Sequence, residues 1–264
     1  MRSLSYCFLC LLALSFTACQ DVIVLDLDEA AQQTIVEANI LSDAQRAEVR
    51  LSKSGGFYQS NDFETVNGAS ITLSLNGQNY SFQSDNNGYY WADSLQIQAG
   101  DSAFMSISLP DGRQISATAA CPNSVLLDSL SYEQFVFPFG GQIGYRLYYH
   151  FQDPADTANY YRTKVWTNGE LEDNYILIED ELRNGDYLDL PFFGPPFEPE
   201  DSIQLQLISV NKAYYDYFEQ VSEVSQSGAS ASVPYNPKGN WDDPSVLGYF
   251  GIIHRHQLQI EMPQ

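Results

Sequence analysis

From residue 69 to residue 75 the chain alternates polar and apolar positions. Ile71, Leu73 and Leu75 fall on one side, with Ser70, Thr72 and Ser74 on the other. A period of two marks a half-buried strand, because successive side chains of an extended chain point to opposite faces. Asn76-Gly77 follows, the pair favoured in a type I′ turn whose two central residues take positive φ, and residues 79–82 return with the same period. Similar patterns predict strands at 34–40, 47–51, 89–92, 103–109 and 114–118, separated by Ser42-Asp43-Ala44-Gln45, Asn87-Gly88 and Pro110-Asp111-Gly112. A second set begins at Val125. Tyr145, Leu147, Tyr149 and Phe151 share one face of a strand, the polar residues 153–156 turn the chain back into 160–166, and Asn168-Gly169 marks another turn. Strands at 202–210, 247–253 and 257–260 close the pattern. Short alternating strands joined by brief turns imply antiparallel sheets with one wet face each.

The period changes once. Tyr214, Tyr217, Phe218, Val221 and Val224 recur at three and four, which predicts a helix over 211–224 with Asn211 as its cap and the Ser, Gly and Ala of 225–232 as its end. Its aromatic stripe is suited to packing on a sheet. The expected fold is therefore all-β, with antiparallel β-sandwich-like domains of immunoglobulin or transthyretin type and one C-terminal amphipathic helix. Cys121-Pro122 divides an N-terminal domain, 19–122, from a C-terminal one, 123–264, that carries the helix; a single extended β structure using both halves is the alternative. Residues 191–199 hold four prolines and three phenylalanines, a composition that cannot enter a sheet interior. Such a loop either packs on itself over the sheet or offers Phe192, Phe193 and Phe197 to a partner.

Residues 1–18 follow a different logic. Arg2 precedes an apolar run from Tyr6 to Phe16, which ends at Thr17-Ala18-Cys19. Charge, apolar run and small residues in that order make a secretory signal, and the run is too short for a bilayer span of roughly 20 residues. Leu14-Ser15-Phe16-Thr17-Ala18-Cys19 is similar to a bacterial lipobox, so Cys19 is the expected lipidation site and first mature residue. Its acyl chains would hold the protein on a membrane at about 0.8 kcal/mol per buried CH₂. A soluble secreted protein with a Cys at the cut is the other reading. The segment after it, 20–28, ends in alternating acidic and apolar residues and could become a first edge strand.

Charge and cysteine content narrow the function classes. The formal net charge is −22, spread from Asp21 to Glu261 rather than gathered in a tail. Such a surface repels nucleic acid and anionic headgroups and favours cations or a basic partner. With 44% hydrophobic residues the chain is of folded composition. Cys7 and Cys10 leave with the signal, so Cys121 is the one thiol besides Cys19, and a buried structural role suits it better than a reactive one.

The order of several short motifs resembles the DUF4249 family, outer-membrane or periplasmic lipoproteins of Bacteroidota. They are Asp26-Leu27-Asp28 after the lipobox, Ile35-Val36-Glu37-Ala38, residues 66–73, Asn87-Gly88-Tyr89-Tyr90, Leu127-Asp128-Ser129-Leu130, Tyr235-Asn236-Pro237 and Gly248-Tyr249-Phe250-Gly251. The resemblance implies a lipoprotein often encoded beside a TonB-dependent outer-membrane receptor, with no established enzyme activity or catalytic residues. It leaves the periplasmic and surface-facing sides both open.

No zinc-protease, nucleophile-elbow, phosphate-loop or EF-hand motif occurs, and no cofactor is implied. His254-Arg255-His256 would place two imidazoles on one strand face about 6.5 Å apart, so His254 and His256 are weak metal candidates, with Asp242 and Asp243 as possible oxygen donors. Exposed aromatics such as Tyr58 or those of 192–197 suit a glycan, peptide or receptor loop. The functional expectation is a non-enzymatic accessory or ligand-binding lipoprotein working with a TonB-dependent β-barrel. The alternative is a surface glycan- or peptide-acting hydrolase with two facing carboxylates.

Overall fold

A computed structural model describes residues 32–55, 63–136, 143–155, 157–172, 175–226 and 235–264. Cys19, the signal segment, the 20–28 tether and Tyr58 lie outside them. In chain order the strands are β1 (Thr34–Leu41), β2 (Arg46–Lys53), β3 (Ser70–Leu75), β4 (Gln78–Ser81), β5 (Gln83–Ser84), β6 (Tyr89–Asp93), β7 (Ser102–Ser108) and β8 (Gln114–Ala120). They continue as β9 (Ser129–Val136), β10 (Ile143–Gln152), β11 (Tyr160–Thr167), β12 (Glu170–Leu171), β13 (Ile176–Glu179), β14 (Tyr187–Pro191) and β15 (Ser202–Val210). Helix α1 (Lys212–Gln226) and β16 (Leu247–Glu261) follow.

The alternation of 70–75 does what its period requires: Ile71, Leu73 and Leu75 are buried, and Leu75 pairs with Gln78 across Asn76 (φ 51°) and Gly77 (φ 79°). Asn168 and Gly169 turn in the same way at φ 52° and 87°. The strands form three sheets. A nine-stranded sheet runs β12-β11-β15-β16-β1-β2-β6-β5, with β13 also on β11; β4-β3-β7-β8 and β14-β10-β9 are the smaller ones. Among the described residues the fold is an all-β sandwich with one helix. Its pairs are antiparallel except β1 with β16, which run parallel from Ile35↔Leu247 to Leu41↔Ile253.

Two cores lie along the large sheet. Val36, Ile40, Val49 and Leu51 belong to one with Leu73, Met105 and Ile107 of the four-stranded sheet. Tyr161, Val165, Leu205 and Leu207 belong to the other with Tyr145, Leu147, Tyr149 and Phe151 of the three-stranded sheet. The first cluster also takes Trp241, Val246, Phe250 and Ile252 from beyond Pro122, and the large sheet likewise draws on both sides of that residue. Strands β1, β2, β5 and β6 come from before that residue and β11, β12, β13, β15 and β16 from after it. The physical reason is β16. It is one strand where two short ones were expected, spans about 50 Å, and contributes Phe250 and Ile252 to the first core and Leu258 and Ile260 to the second.

Glycine makes the parallel seam possible. Gly248 has φ +93°, and a Cβ there would run into the Val36 carbonyl of β1. Helix α1 covers the opposite face, where Tyr214 and Tyr215 join Tyr249, Ile208 and Ile253, with Tyr217 and Phe218 packed alongside. Asn211 precedes the helix but does not cap it with its side chain. Its Oδ1 accepts the Ile252 N–H at 3.1 Å, while its carbonyl accepts the Tyr215 N–H. Sheet attachment has taken the group that periodicity assigned to the helix end.

Candidate interaction face

The loop 192–197 is built from the end of β14. Pro191 closes that strand, the Phe192 N–H donates to the Leu147 carbonyl at 2.9 Å, and Phe197 and Tyr145 exchange N–H···O bonds of 3.0 and 2.9 Å. These bonds pin both ends of the loop to β10 and turn two of its three rings inward. Phe192 and Phe197 are 4% and 3% exposed, with ring centroids 5.5 Å apart, and both are members of the second core. They are therefore not partner contacts as expected, because burying two rings against Leu147 and Tyr145 closes the open side of the sandwich. Phe193 is 78% exposed and remains a candidate. Beside the loop is a cavity of about 70 Å³ lined by Phe135, Arg146, Leu147 and Phe192 with residues 194–197.

Other apolar side chains surround this site. Tyr132 and Val136 of β9 and Ile143 of β10 are exposed, and Val136 lies directly opposite Ile143. The Arg146 guanidinium sits 5.7 Å from the Phe135 ring centroid. The other face of the same strands is polar: Tyr148 OH donates to Glu133 at 3.0 Å, Ser131 Oγ is 2.7 Å from His150 Nε2, and His150 Nδ1 is 3.3 Å from Asp189. Exposed apolar side chains gathered at a sheet edge are a surface that a partner can cover. Sequence reasoning missed β9. Its alternation, Leu130, Tyr132, Gln134 and Val136 against Ser129, Ser131, Glu133 and Phe135, is of the ordinary strand type, while the expected segment opening at Val125 reaches only Ser129 and Leu130 of it.

The histidine pair has a different task. His254 and His256 share the core-side face of β16, where the stretch 121–128 crosses from one core to the other. The Ser42 and Ser124 hydroxyls each lie 3.2 Å from His254 Nδ1, the Leu127 N–H donates to His256 Nδ1 at 3.0 Å, and the Val125 N–H donates to Ser209 Oγ at 3.3 Å. The imidazoles strap this crossing segment to the sheet. Burial holds His254 below the usual imidazole range, which suits an acceptor. The suggested oxygen donors are turned elsewhere: Asp242 accepts from the Ser116 N–H and hydroxyl at 2.7 Å, and Asp243 from the Ser245 N–H and hydroxyl at 2.9 and 2.7 Å. Among the described residues no three His, Cys, Asp or Glu side chains gather as a metal site. Cys121 is buried, and desolvation pushes its thiol up to about 11, so it is chemically quiet at neutral pH.

Two carboxylates are almost wholly buried. Asp153 (1% exposed) accepts from the Tyr161 hydroxyl and from the Gly185 N–H at 2.8 Å. Asp180 (2%) accepts from the Asn159 N–H at 2.9 Å and from its amide at 3.2 Å. Desolvation holds Asp153 above the usual carboxylate range, and the neighbouring Asp180 charge adds to it. These groups tie Asp153, Asn159 and Tyr161 to the 180–186 connection. Their oxygens face protein donors rather than an open cleft. Among the described residues no helix is long and apolar enough to cross a membrane.

The profile of a family described as a domain of unknown function (DUF4249) matches residues 20–259. No curated protein matches the chain. Among solved structures, the FN1–FN3 domains of chicken CNTN1 are similar at a TM-score of 0.29 and 8% identity, over 67% of this chain. The chain spans 60% of that longer one, and a likeness so slight does not bear on fold or function.

Proposed function

The chain belongs to the DUF4249 family, and we propose that it is a non-enzymatic cell-envelope lipoprotein, anchored through Cys19, that serves as an accessory or ligand-binding partner of a TonB-dependent outer-membrane transporter. The observation that carries the binding role is the exposed apolar group Tyr132, Val136, Ile143 and Phe193, which belongs to one three-stranded sheet and its loop. Leaving such side chains in water is costly unless another surface covers them. The order of residues 1–19 supports the anchor, and the net charge of −22 favours a partner with basic groups.

The test is a mild-detergent pull-down from the native membrane through a C-terminal tag. A β-barrel receptor should co-purify with the wild-type chain and be lost with Phe193→Ser, a change at an exposed position that leaves the cores intact. Recovery of the lipoprotein alone would count against the transporter role, and undiminished capture by the variant would remove this face from it. Replacing Cys19 with Ala should release the chain from membranes; an intact mass showing an unmodified N-terminus would end the anchoring proposal.

A further inference from the structure

Resting on the binding role above, we propose that β9 is a strand-addition site, and that its occupant is an extended, positively charged peptide segment of a partner protein with apolar residues at alternate positions. The argument begins with where the backbone groups of β9 point. Tyr145 makes both its backbone hydrogen bonds to Phe197, and the Leu147 carbonyl accepts from Phe192, so the odd-numbered residues of β10 face β14. The even-numbered residues then face β9. In the observed register, Gly144↔Phe135, Arg146↔Glu133 and Tyr148↔Ser131, they engage the odd-numbered residues of β9. The N–H and C=O groups of Leu130, Tyr132, Gln134 and Val136 therefore point away from the sheet. Among the described residues no strand pairs with that side.

An open edge of this kind is unusual within the molecule. The other edge strands are short, namely β4 and β13 with four residues and β5 and β12 with two. Edge strand β8 is longer but is blocked at Ser116, whose N–H and carbonyl both bond to Asp242. Strand β14 has five residues and ends in Pro191. By contrast β9 has eight residues, no proline and one charge, Glu133. Proteins ordinarily protect such an edge with charge, proline or a covering segment. An unprotected one is a template for another strand.

The side chains specify the occupant. Tyr132 lies opposite Leu147 and Val136 opposite Ile143, so both stand on the core-side face, where they are 43% and 61% exposed. An added strand would cover them with its own apolar side chains at every second position. Its alternate residues would meet the other face, which carries the Glu133 carboxylate, on a molecule of net charge −22. That favours lysine or arginine there. A second copy of this chain fits worse, since each copy brings the same negative charge.

Amide hydrogen exchange at residue resolution tests this on the full-length chain in detergent micelles. The probe is a nine-residue peptide of alternating valine and lysine; the controls are its valine–glutamate counterpart and a version with proline at every third position. The Tyr132, Gln134 and Val136 amides should exchange freely alone and become protected with the basic peptide only. Gln134→Pro removes an outward N–H without disturbing the pairs with β10, and should weaken binding about tenfold or more. Glu133→Gln should keep the strand addition and reduce the preference for lysine over glutamate. Absence of protection, protection elsewhere, or equal binding by Gln134→Pro would overturn the proposal. So would protection of these amides before peptide is added, which would assign the edge to the chain's own N-terminal segment or, if it depends on concentration, to a second copy. If the native receptor is captured equally by Gln134→Pro and wild type, the accessory role stands and strand addition fails. If no receptor is captured while the peptide adds to β9, the transporter role alone fails.

Discussion

Phe197→Ala and Phe193→Ala differ by four positions and should differ by several kcal/mol. The Phe197 ring is 3% exposed, stacks on Phe192, and closes the second core beside Leu147. A buried aromatic side chain removes roughly 150–200 Å² from water. At about 25 cal/mol per Å² this corresponds to about 4–5 kcal/mol, an upper value because the denatured chain already covers some of that surface. The backbone bonds to Tyr145 survive the change, and the existing cavity of about 70 Å³ lets Phe192 relax. We therefore expect a loss of about 3–4 kcal/mol, within the range for buried Phe→Ala. Phe193 is 78% exposed, so its truncation should stay within about 0.5 kcal/mol. Equilibrium unfolding in urea reads both: with a slope of about 2–3 kcal/mol per molar, the midpoint should fall by more than about 1 M for Phe197→Ala and by less than about 0.3 M for Phe193→Ala. Equal shifts, or a larger one for Phe193, would refute the division of this loop into two buried anchors and one free ring.

Gly248→Ala places a Cβ against the Val36 carbonyl at φ +93°, and should cost more than about 2 kcal/mol and remove exchange protection along β1, while Gly77→Ala, with open space around it, should leave that protection intact. Tyr214→Phe takes away the hydroxyl that accepts from Arg162 Nη1 at 2.9 Å; since Arg162 Nε already has no partner in the same buried site, a thermal-melt loss corresponding to about 2 kcal/mol is expected. Asp153 is held above its ordinary value of 3.8, so the folded chain binds its proton more tightly than the unfolded chain does. Its stabilisation is complete below about pH 3.8 and is lost as the pH rises through the raised folded value. The stability of wild type relative to Asp153→Asn should therefore fall as the pH rises above about 3.8 in urea titrations, and a rise there would reverse the assignment.

Local physics was legible in the residues. The alternation at 70–75, the Asn76-Gly77 and Asn168-Gly169 turns and the Tyr145–Phe151 face depend on neighbours within a few positions, and each appears as read. So does the stripe Tyr214, Tyr217 and Phe218, which packs with Tyr249. The seam between β1 and β16 joins segments more than 200 residues apart, and nothing in either segment names the other. That pairing is why one sheet crosses residue 122. The loop at 191–199 was legible as a proline-rich aromatic segment outside the sheet interior. Which rings turn inward depends on bonds from Phe192 and Phe197 to β10, a tertiary fact. His254 and His256 were read for chemistry because of their spacing, whereas their partners Ser42, Ser124 and Leu127 come from distant stretches.

Site-specific photo-crosslinking in intact cells tests the location of the partner most directly. A benzophenone side chain would replace Phe193 beside the three-stranded sheet and, separately, Phe104 of β7, which is 46% exposed on the four-stranded sheet. The account predicts an adduct with an outer-membrane β-barrel from position 193 and none from position 104. No adduct from 193, or the same adduct from 104, would contradict it.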